Sequence, residues 1–288
     1  MDASSPEFAD GAEFATRIPT ACLRPLVRRY IGYRQEHVSL AVHRGLPSRS
    51  ATLIISLADP VRLIGGIGTE NGPRARQSVL GGLHVRPALI AQDRYQCGIH
   101  IELHPLGIAA LLGACPRELS NTVCALEELP VPWGAELAPM LHGAPSWPER
   151  FAILDRVLSQ GLRPVEVPAE VRFAWRALLA GQGTLGVGAL AKQVGWSRRH
   201  LTQRFATAVG VTPKQAARLM RFERSTTLVR AGVTSSLAQL ALDCGYYDQA
   251  HMSGEWREFA GCPPSTWIRE ELPFLQGSGT GDGAHSDP

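Results

Sequence analysis

The sequence lacks any uninterrupted apolar run close to the roughly 20 residues that a membrane-spanning helix requires. Its N-terminus has Asp2, Glu7, Asp10 and Glu13 where a signal peptide would need positive charge and then an apolar block. The sequence therefore predicts neither a membrane protein nor an exported one. We expect a cytoplasmic protein with no membrane partner.

Cysteine pairs and lysine are also scarce. The six cysteines include no C-x-x-C pair, so neither a disulfide framework nor a cysteine-based zinc site is predicted. Lys192 and Lys214 are the only lysines, and the remaining positive charge is arginine. Residues 168–275 hold 13 Lys and Arg against 8 Asp and Glu, whereas residues 1–167 hold 16 of each. The positive excess therefore lies on the C-terminal half, where it is compatible with binding to phosphate groups.

A short pattern occurs twice in this basic half. Residues 190–196 (LAKQVGW) recur as residues 240–246 (LALDCGY), and apolar residues in and just before both copies follow the i, i+3, i+4, i+7 spacing of a helix with one buried face. Gly195 and Gly245 end these helices, because glycine readily adopts the left-handed conformation of a sharp turn. The sequence therefore predicts two helix-turn-helix units.

The second helix of each unit begins after a capping residue, Ser197 or Asp248. The buried positions of the two second helices match, but the polar positions differ. These polar positions are Arg198, Arg199, His200, Thr202, Gln203 and Arg204 in the first copy, and Gln249, His251, Ser253 and Arg257 in the second. Such donor-rich side chains can contact base edges and phosphates. A pair of helical hairpins with solvated faces is the alternative, and the matched turns argue against it.

The N-terminal half shows short strand patterns separated by Pro and Gly turns, which favour a compact antiparallel barrel or sandwich. The predicted strands are 37–43, 51–57, 61–64, 79–85, 88–91 and 97–103. Helical patterns follow Pro105, and the segment 161–168 is the expected linker. We predict a disordered leader (1–20), a first domain (21–165), a second domain (168–275) and a disordered tail (276–288).

The stretch from residue 190 to residue 267 resembles the DNA-binding domain of the AraC/XylS family of bacterial transcription regulators. The resemblance rests on residues 195–201 (GWSRRHL), 210–213 (GVTP), 248–251 (DQAH) and 261–264 (GCPP). It implies two helix-turn-helix subdomains joined by a long helix, with the two recognition helices in successive major grooves. By position it implies base contacts from Arg199, Thr202, Gln203, Gln249, Ala250, His251 and Ser253, and phosphate contacts from Arg198, Arg204 and Arg257.

Gly254 stands where a polar base-reading side chain is common in that family. We therefore expect the first unit to supply most of the sequence discrimination, with the second mainly positioning the protein. The N-terminal half resembles, more loosely, the cupin-like sensor domains of some family members. The two resemblances imply an α+β two-domain fold, in which a small cupin-like β-barrel with helices precedes an all-α double helix-turn-helix domain. The expected partners are double-stranded promoter DNA, a small effector, a second copy of the chain, and RNA polymerase if the protein is an activator.

His100, Glu102 and His104 alternate with apolar residues, so on a strand they share one face. Two imidazoles and a carboxylate could bind a metal, although a strand with a polar face or a pocket lining would show the same pattern. No nucleophile and base pair is legible, so no catalytic residue and no cofactor are assigned, and we expect a regulator that is not an enzyme. The alternatives are an enzyme with a cupin-like active site and a DNA-targeting module, and a DNA-bending accessory protein with little sequence preference.

Overall fold

The computed structural model describes residues 12–70, 72–233 and 236–272. Its strands are β1 (Ala12–Arg17), β2 (Val27–Gln35), β3 (Val42–Gly45), β4 (Ala51–Ser56), β5 (Val61–Gly66), β6 (Arg74–Arg76), β7 (Ser78–Gly81), β8 (Ala88–Ala91), β9 (Gln96–Leu103) and β10 (Val123–Cys124). Its helices are α1 (Ile108–Leu112), α2 (Gly134–Gly143), α3 (Trp147–Gln160), α4 (Ala169–Ala180), α5 (Val187–Gln193), α6 (Arg198–Val209), α7 (Pro213–Arg230), α8 (Leu237–Asp243), α9 (Gln249–Ala260) and α10 (Pro264–Glu270). We call the part from β1 to α3 the N-terminal domain and the part from α4 to α10 the C-terminal domain.

The N-terminal domain contains two antiparallel sheets. The larger has the strand order β1-β2-β9-β4-β7-β10, and the smaller has the order β3-β8-β5-β6. Side chains alternate between the two faces of a strand. On the larger sheet, Leu53 and Ile99 therefore pack with Leu154 of α3, whereas Ile54 packs with Leu63 of the smaller sheet. The predicted combination of a β-rich N-terminal domain and an all-helical C-terminal domain is confirmed.

The predicted disordered leader over residues 1–20 is wrong for residues 12–17, which form β1 and pair with β2 along their whole length. Two side chains of β1 bind α3. Arg17 Nη2 donates to Asp155 at 2.9 Å, and Glu13 accepts from Trp147 Nε1 at 2.9 Å. The sequence pattern gave no sign of these distant partners. Residues 1–11 and the predicted tail over residues 276–288 lie outside the described ranges.

The C-terminal domain contains the two predicted helix-turn-helix units, α5–α6 and α8–α9. Gly195 and Gly245 adopt positive φ angles of 71° and 75°, as the turn requires. Ser197 and Asp248 each accept a hydrogen bond from the backbone N–H three residues later, which caps α6 and α9. The 18-residue helix α7 connects the units, and no helix in the described part of the chain is long and apolar enough to cross a membrane.

An aromatic cluster packs the second unit against α7. The ring of Phe222 meets the rings of Trp256 and Phe259 edge-on, with centroid distances of 5.1 and 5.2 Å. Trp256 also donates through Nε1 to Ser225 Oγ at 2.9 Å. Edge-to-face aromatic pairs contribute about 0.5–1.5 kcal/mol beyond the area that they bury. These contacts fix the orientation of α9 relative to α7.

The N-terminal domain packs against both units at the C-terminal ends of α6 and α9. Leu83, in the connection from β7 to β8, is 1% exposed and belongs to the core of the C-terminal domain. A Cβ atom on Gly210, after α6, would lie 2.8 Å from the Pro116 carbonyl oxygen, and one on Gly261, after α9, would lie 3.5 Å from Pro87. Gly210 and Gly261 are equivalent positions of the repeat, so the N-terminal domain touches the same part of each unit.

A carboxylate in the middle of α7 also binds the N-terminal domain. Glu223 accepts from the backbone N–H of Arg49 at 3.1 Å and lies 3.6 and 3.8 Å from the side-chain nitrogens of Arg49 and Arg28. Burial raises the pKa of Glu223, and the two arginines oppose that rise. The helix that connects the two units is therefore attached to the N-terminal domain by charge as well as by packing.

Candidate nucleic-acid interface

Helix α6 presents a positively charged face to solvent. It contains three arginines and no acidic residue, and its apolar residues Leu201, Phe205 and Val209 are buried. Arg199 and Gln203 are exposed and lie four positions apart, which places them in one row on the helix surface. The predicted base-contacting face is therefore accessible along the N-terminal half of α6.

Three predicted site residues of α6 are partly engaged by the protein itself. The guanidinium of Arg198 lies against α5, since a Cβ on Gly188 would be 3.0 Å from its Nη2. The His200 ring meets the Trp196 ring edge-on at 4.5 Å, and Thr202 Oγ1 donates to the Arg198 carbonyl at 2.8 Å.

Three other side chains of this helix are free to bind a partner. The side chains of Arg199, Gln203 and Arg204 have no hydrogen-bond or ion-pair partner within the described residues, and all three are exposed. Together they form the part of the exposed face of α6 that no other side chain engages.

Helix α9 differs from α6 in charge and in exposure. Gln249, Ala250, His251 and Arg257 are exposed and Ser253 is half-buried. The helix has one arginine, and it also contains two acidic residues at positions 255 and 258. The structure therefore agrees with the unequal faces expected from the sequence.

The predicted base reader His251 is held at the start of α9. Its Nδ1 accepts from the Tyr247 backbone N–H at 3.4 Å, and its Nε2 lies 3.7 Å from Glu255. Glu255 is only 6% exposed and binds Arg218 at 2.7 Å and Arg221 at 3.3 Å, both from α7. This buried carboxylate thus fixes the orientation of α9 and does not add negative charge to the exposed face of that helix.

Gly254 lies in the middle of α9 with open space beside it. A Cβ atom at this position would meet no atom within 4 Å. Packing therefore does not require glycine here, and the missing side chain simply leaves the second face thinner than the first.

Tyr247 is an exposed aromatic residue that the sequence reasoning missed. Its side chain is 87% exposed, and it immediately precedes the cap Asp248. The repeat offers a signal, because the offset between the two copies is 50 residues in the first helices and 51 in the second helices. The second turn therefore holds one extra residue, which adds a surface side chain beside the start of α9.

The metal set considered from the sequence does not form. No group of three potential ligands is brought together within the described ranges, and Glu102 and His104 bind other residues. Glu102 accepts from Arg29 at 2.7 Å, and His104 Nδ1 accepts from the Leu106 backbone N–H at 3.2 Å. Burial, together with the charges of nearby arginines, lowers the pKa of His104 to about 4. The strand alternation seen in the sequence reflects a polar face.

The C-terminal domain matches a known family model, and the chain is similar to several solved structures. Residues 190–270 match a family model described as a helix-turn-helix domain. ToxT from Vibrio cholerae is 11% identical with a TM-score of 0.48, over 91% of this chain and 99% of that chain. The DNA-binding domain of AdpA, a global transcriptional factor solved with a target DNA, is 21% identical with a TM-score of 0.33, over 35% of this chain and 92% of its own. No curated protein sequence gave a match.

The C-terminal domain of AraT, a response regulator from Geobacillus stearothermophilus, is 19% identical with a TM-score of 0.34, over 36% of this chain and 88% of its own. Two helix-turn-helix units in tandem, joined by one long helix, define a DNA-binding regulator of transcription. The family match runs from within α5 to the end of α10 and so includes both units. The match over both units agrees with the sequence resemblance of residues 190–267 to the DNA-binding domain of the AraC/XylS family.

Proposed function

We propose that the protein binds double-stranded promoter DNA with α6 and α9 in successive major grooves on one side of the duplex. One observation carries this proposal: both recognition helices are covered at their C-terminal ends and open at their N-terminal halves. Gly210 and Gly261 pack against the N-terminal domain, whereas Arg199 and Gln249 are exposed. The major groove admits an α-helix, and the N-terminal residues of a recognition helix contact base edges.

Within α6, Arg199 and Gln203 are the proposed base readers, because a guanidinium pairs with guanine and a side-chain amide pairs with adenine. Their donors are free, whereas the Thr202 hydroxyl is occupied by its own helix and contributes its methyl group. Arg198 and Arg204 are assigned to phosphates. His200, held by the Trp196 ring, packs beside them at the edge of the interface.

Within α9, Gln249, Ala250 and Ser253 are the proposed base-facing residues and Arg257 the phosphate contact. The hydrogen bond from Tyr247 to the His251 ring favours a positioning role for His251. The exposed Tyr247 is proposed to contact the sugar-phosphate backbone beside α9. Because α6 has three arginines and no acid, the first unit supplies most of the affinity and discrimination.

The N-terminal domain is proposed to sense a small effector or to pair subunits, with the boundary to the DNA-binding domain in the segment 161–168. Its contacts at Gly210 and Gly261 support this role, since a shift of the N-terminal domain would act on both units at once. RNA polymerase becomes a partner if the bound protein activates transcription.

The proposal is tested by selecting genomic fragments bound by the purified full-length protein, followed by footprinting. The expected result is a reproducible site with two half-elements about 10–10.5 base pairs apart. Protection without a preferred site would contradict sequence-specific regulation and favour the accessory-protein alternative.

Arg199→Ala tests the assignment of base reading within that site. It is expected to weaken binding to the selected site by about 1–3 kcal/mol, or roughly 5- to 150-fold, with a smaller loss on random DNA. The matched control is Arg176→Ala, which removes an exposed arginine from α4. Fluorescence anisotropy at one fixed salt concentration measures both variants, because affinity for DNA depends strongly on salt. An equal loss on selected and random DNA would rule out base reading by Arg199.

A further inference from the structure

A polar cavity of about 470 Å³ lies at one end of the larger sheet and is lined by residues of the N-terminal domain. Arg34 and Cys97 reach it from β2 and β9, and Trp147 and Arg150 reach it from the first turn of α3. Pockets for small molecules usually have volumes of about 300–1,000 Å³. The cavity is therefore large enough for a small organic ligand.

Arg150 is the fixed group in this cavity. Its Nε donates to the Leu141 carbonyl at 3.2 Å, and its guanidinium carbon lies 4.6 Å from the centre of the Trp147 ring. Within the described residues neither Nη nitrogen has a hydrogen-bond acceptor and no carboxylate pairs with this arginine. A guanidinium offers parallel N–H donors that match the two oxygens of a carboxylate. Because the group is already held in place, a ligand binds it at a lower entropy cost.

The other charges of the cavity leave Arg150 without a counterion. Arg34 is paired with Glu13 at 2.7 Å, and the same carboxylate accepts from Trp147 Nε1 at 2.9 Å. Burial raises the pKa of the Cys97 thiol, so this residue supplies no negative charge near neutral pH. The unbalanced charge of the cavity is therefore positive and is located on Arg150.

The rest of the lining is suited to hydroxyl groups. Tyr95, which is 48% exposed, His142 and Ser146 also line the cavity. We propose that this cavity binds a small hydroxylated organic acid, with the carboxylate paired to Arg150 and the hydroxyl groups facing these polar side chains. The proposal rests on the proposed function only for its regulatory consequence, which is that the acid is the effector sensed by the N-terminal domain.

A ligand at this position would act on the helix that leads to the DNA-binding domain. Asp155 of α3 binds Arg17 at 2.9 Å and Tyr30 at 3.1 Å, which fixes the helix to β1 and β2. Beyond Gln160 the chain runs through the segment 162–168 without regular structure to α4. A ligand at the first turn of α3 would therefore contact the helix that leads into the connection between the two domains.

Isothermal titration calorimetry of the full chain with gluconate and glucuronate, with glucose as the neutral analogue, tests the site. At least one acid is expected to bind with a Kd of about 1 mM or tighter, and glucose is expected not to bind. Arg150→Gln should weaken binding by about tenfold or more, and Arg150→Lys, which keeps the charge but loses the fork, should weaken it less. Arg156→Gln, which removes an exposed arginine from the same helix, should leave binding unchanged.

Absence of binding by both acids, equal binding of glucose, or unchanged affinity in a folded Arg150→Gln protein would overturn the proposal. Far-UV circular dichroism establishes that each variant is folded, and Arg150→Lys serves as the test if Arg150→Gln does not fold. DNA binding in the absence of acid is measured in parallel and is expected to match the wild type in all three variants. A failure of the acid site alone would thus be distinguished from a failure of sequence-specific DNA binding.

Discussion

The end of α10 is bound to the smaller sheet through one buried carboxylate, Glu271. Its side chain is 0% exposed, and it accepts from Arg44 Nη1 at 2.9 Å and from the Arg44 backbone N–H at 3.2 Å. His43 Nδ1 lies 3.2 Å from its other oxygen. Glu270 pairs with the same guanidinium at 3.1 Å, but its side chain is 40% exposed. Two adjacent carboxylates therefore bind one arginine at very different burial.

We predict that Glu271→Ala lowers the free energy of unfolding by about 2–4 kcal/mol. Removing one partner of a buried ion pair costs roughly 3–5 kcal/mol, because the remaining charge is left without compensation. Arg44 is 24% exposed and keeps its pair with Glu270, so solvent and that second carboxylate offset part of the cost. Glu270→Ala removes only an exposed ion pair and is expected to cost about 0–1 kcal/mol.

Urea denaturation followed by far-UV circular dichroism measures both variants against the wild type. The two variants should differ in the urea concentration at the midpoint of unfolding. The dependence of the unfolding free energy on urea should be unchanged, because the surface exposed on unfolding is the same. Equal midpoint shifts for Glu270→Ala and Glu271→Ala would refute the argument that burial decides the strength of this contact. A larger shift for Glu270→Ala would refute it as well.

Three further results are expected. Gly254→Ala should stabilise the protein by about 0.5–1 kcal/mol, because alanine favours a helix interior and the added Cβ meets no atom within 4 Å. Gly210→Ala should lower the urea midpoint, since φ is 99° there and the Cβ would lie 2.8 Å from the Pro116 carbonyl oxygen. Burial lowers the pKa of His104 to about 4, so its unfolded form binds more protons and stability should fall as pH drops from about 6.5 towards 4. His104→Asn, which can still accept from the Leu106 N–H, should reduce this dependence of stability on pH. Urea midpoints measured at several pH values test this, and the same pH dependence in the variant and the wild type would contradict it.

The local features of the DNA-binding domain could be predicted because each depends on residues a few positions apart. The caps at Ser197 and Asp248 bind the backbone three residues later, and Gly195 and Gly245 end helices whose periodicity is visible in the sequence. Because the motif occurs twice, the second copy supported the helix-turn-helix prediction made from the first. The roles of particular side chains in DNA binding stay predictions.

The strands of the N-terminal domain were harder to predict because charged residues occupy them. β2 was missed, since Arg29 and Arg34 interrupt its apolar alternation and are compensated by Glu102 and Glu13, which are distant in sequence. The strand predicted over residues 37–43 is wrong for residues 37–41, because His37 adopts a φ of 61° and β3 starts only at residue 42. Glu102, a weak candidate metal ligand in the sequence, is paired with Arg29.

The sequence by itself determined the tandem helix-turn-helix units, their caps and the unequal charge of their exposed faces. Only the tertiary structure decided the surroundings of His251, because the Glu255 carboxylate 3.7 Å from it is bound by Arg218 and Arg221 of α7. It also decided where the N-terminal domain packs, through contacts such as Arg44 with Glu271 that join residues 227 positions apart. Hydrophobic periodicity and capping act over one or two helical turns, whereas such a pairing exists only after both domains have folded and met.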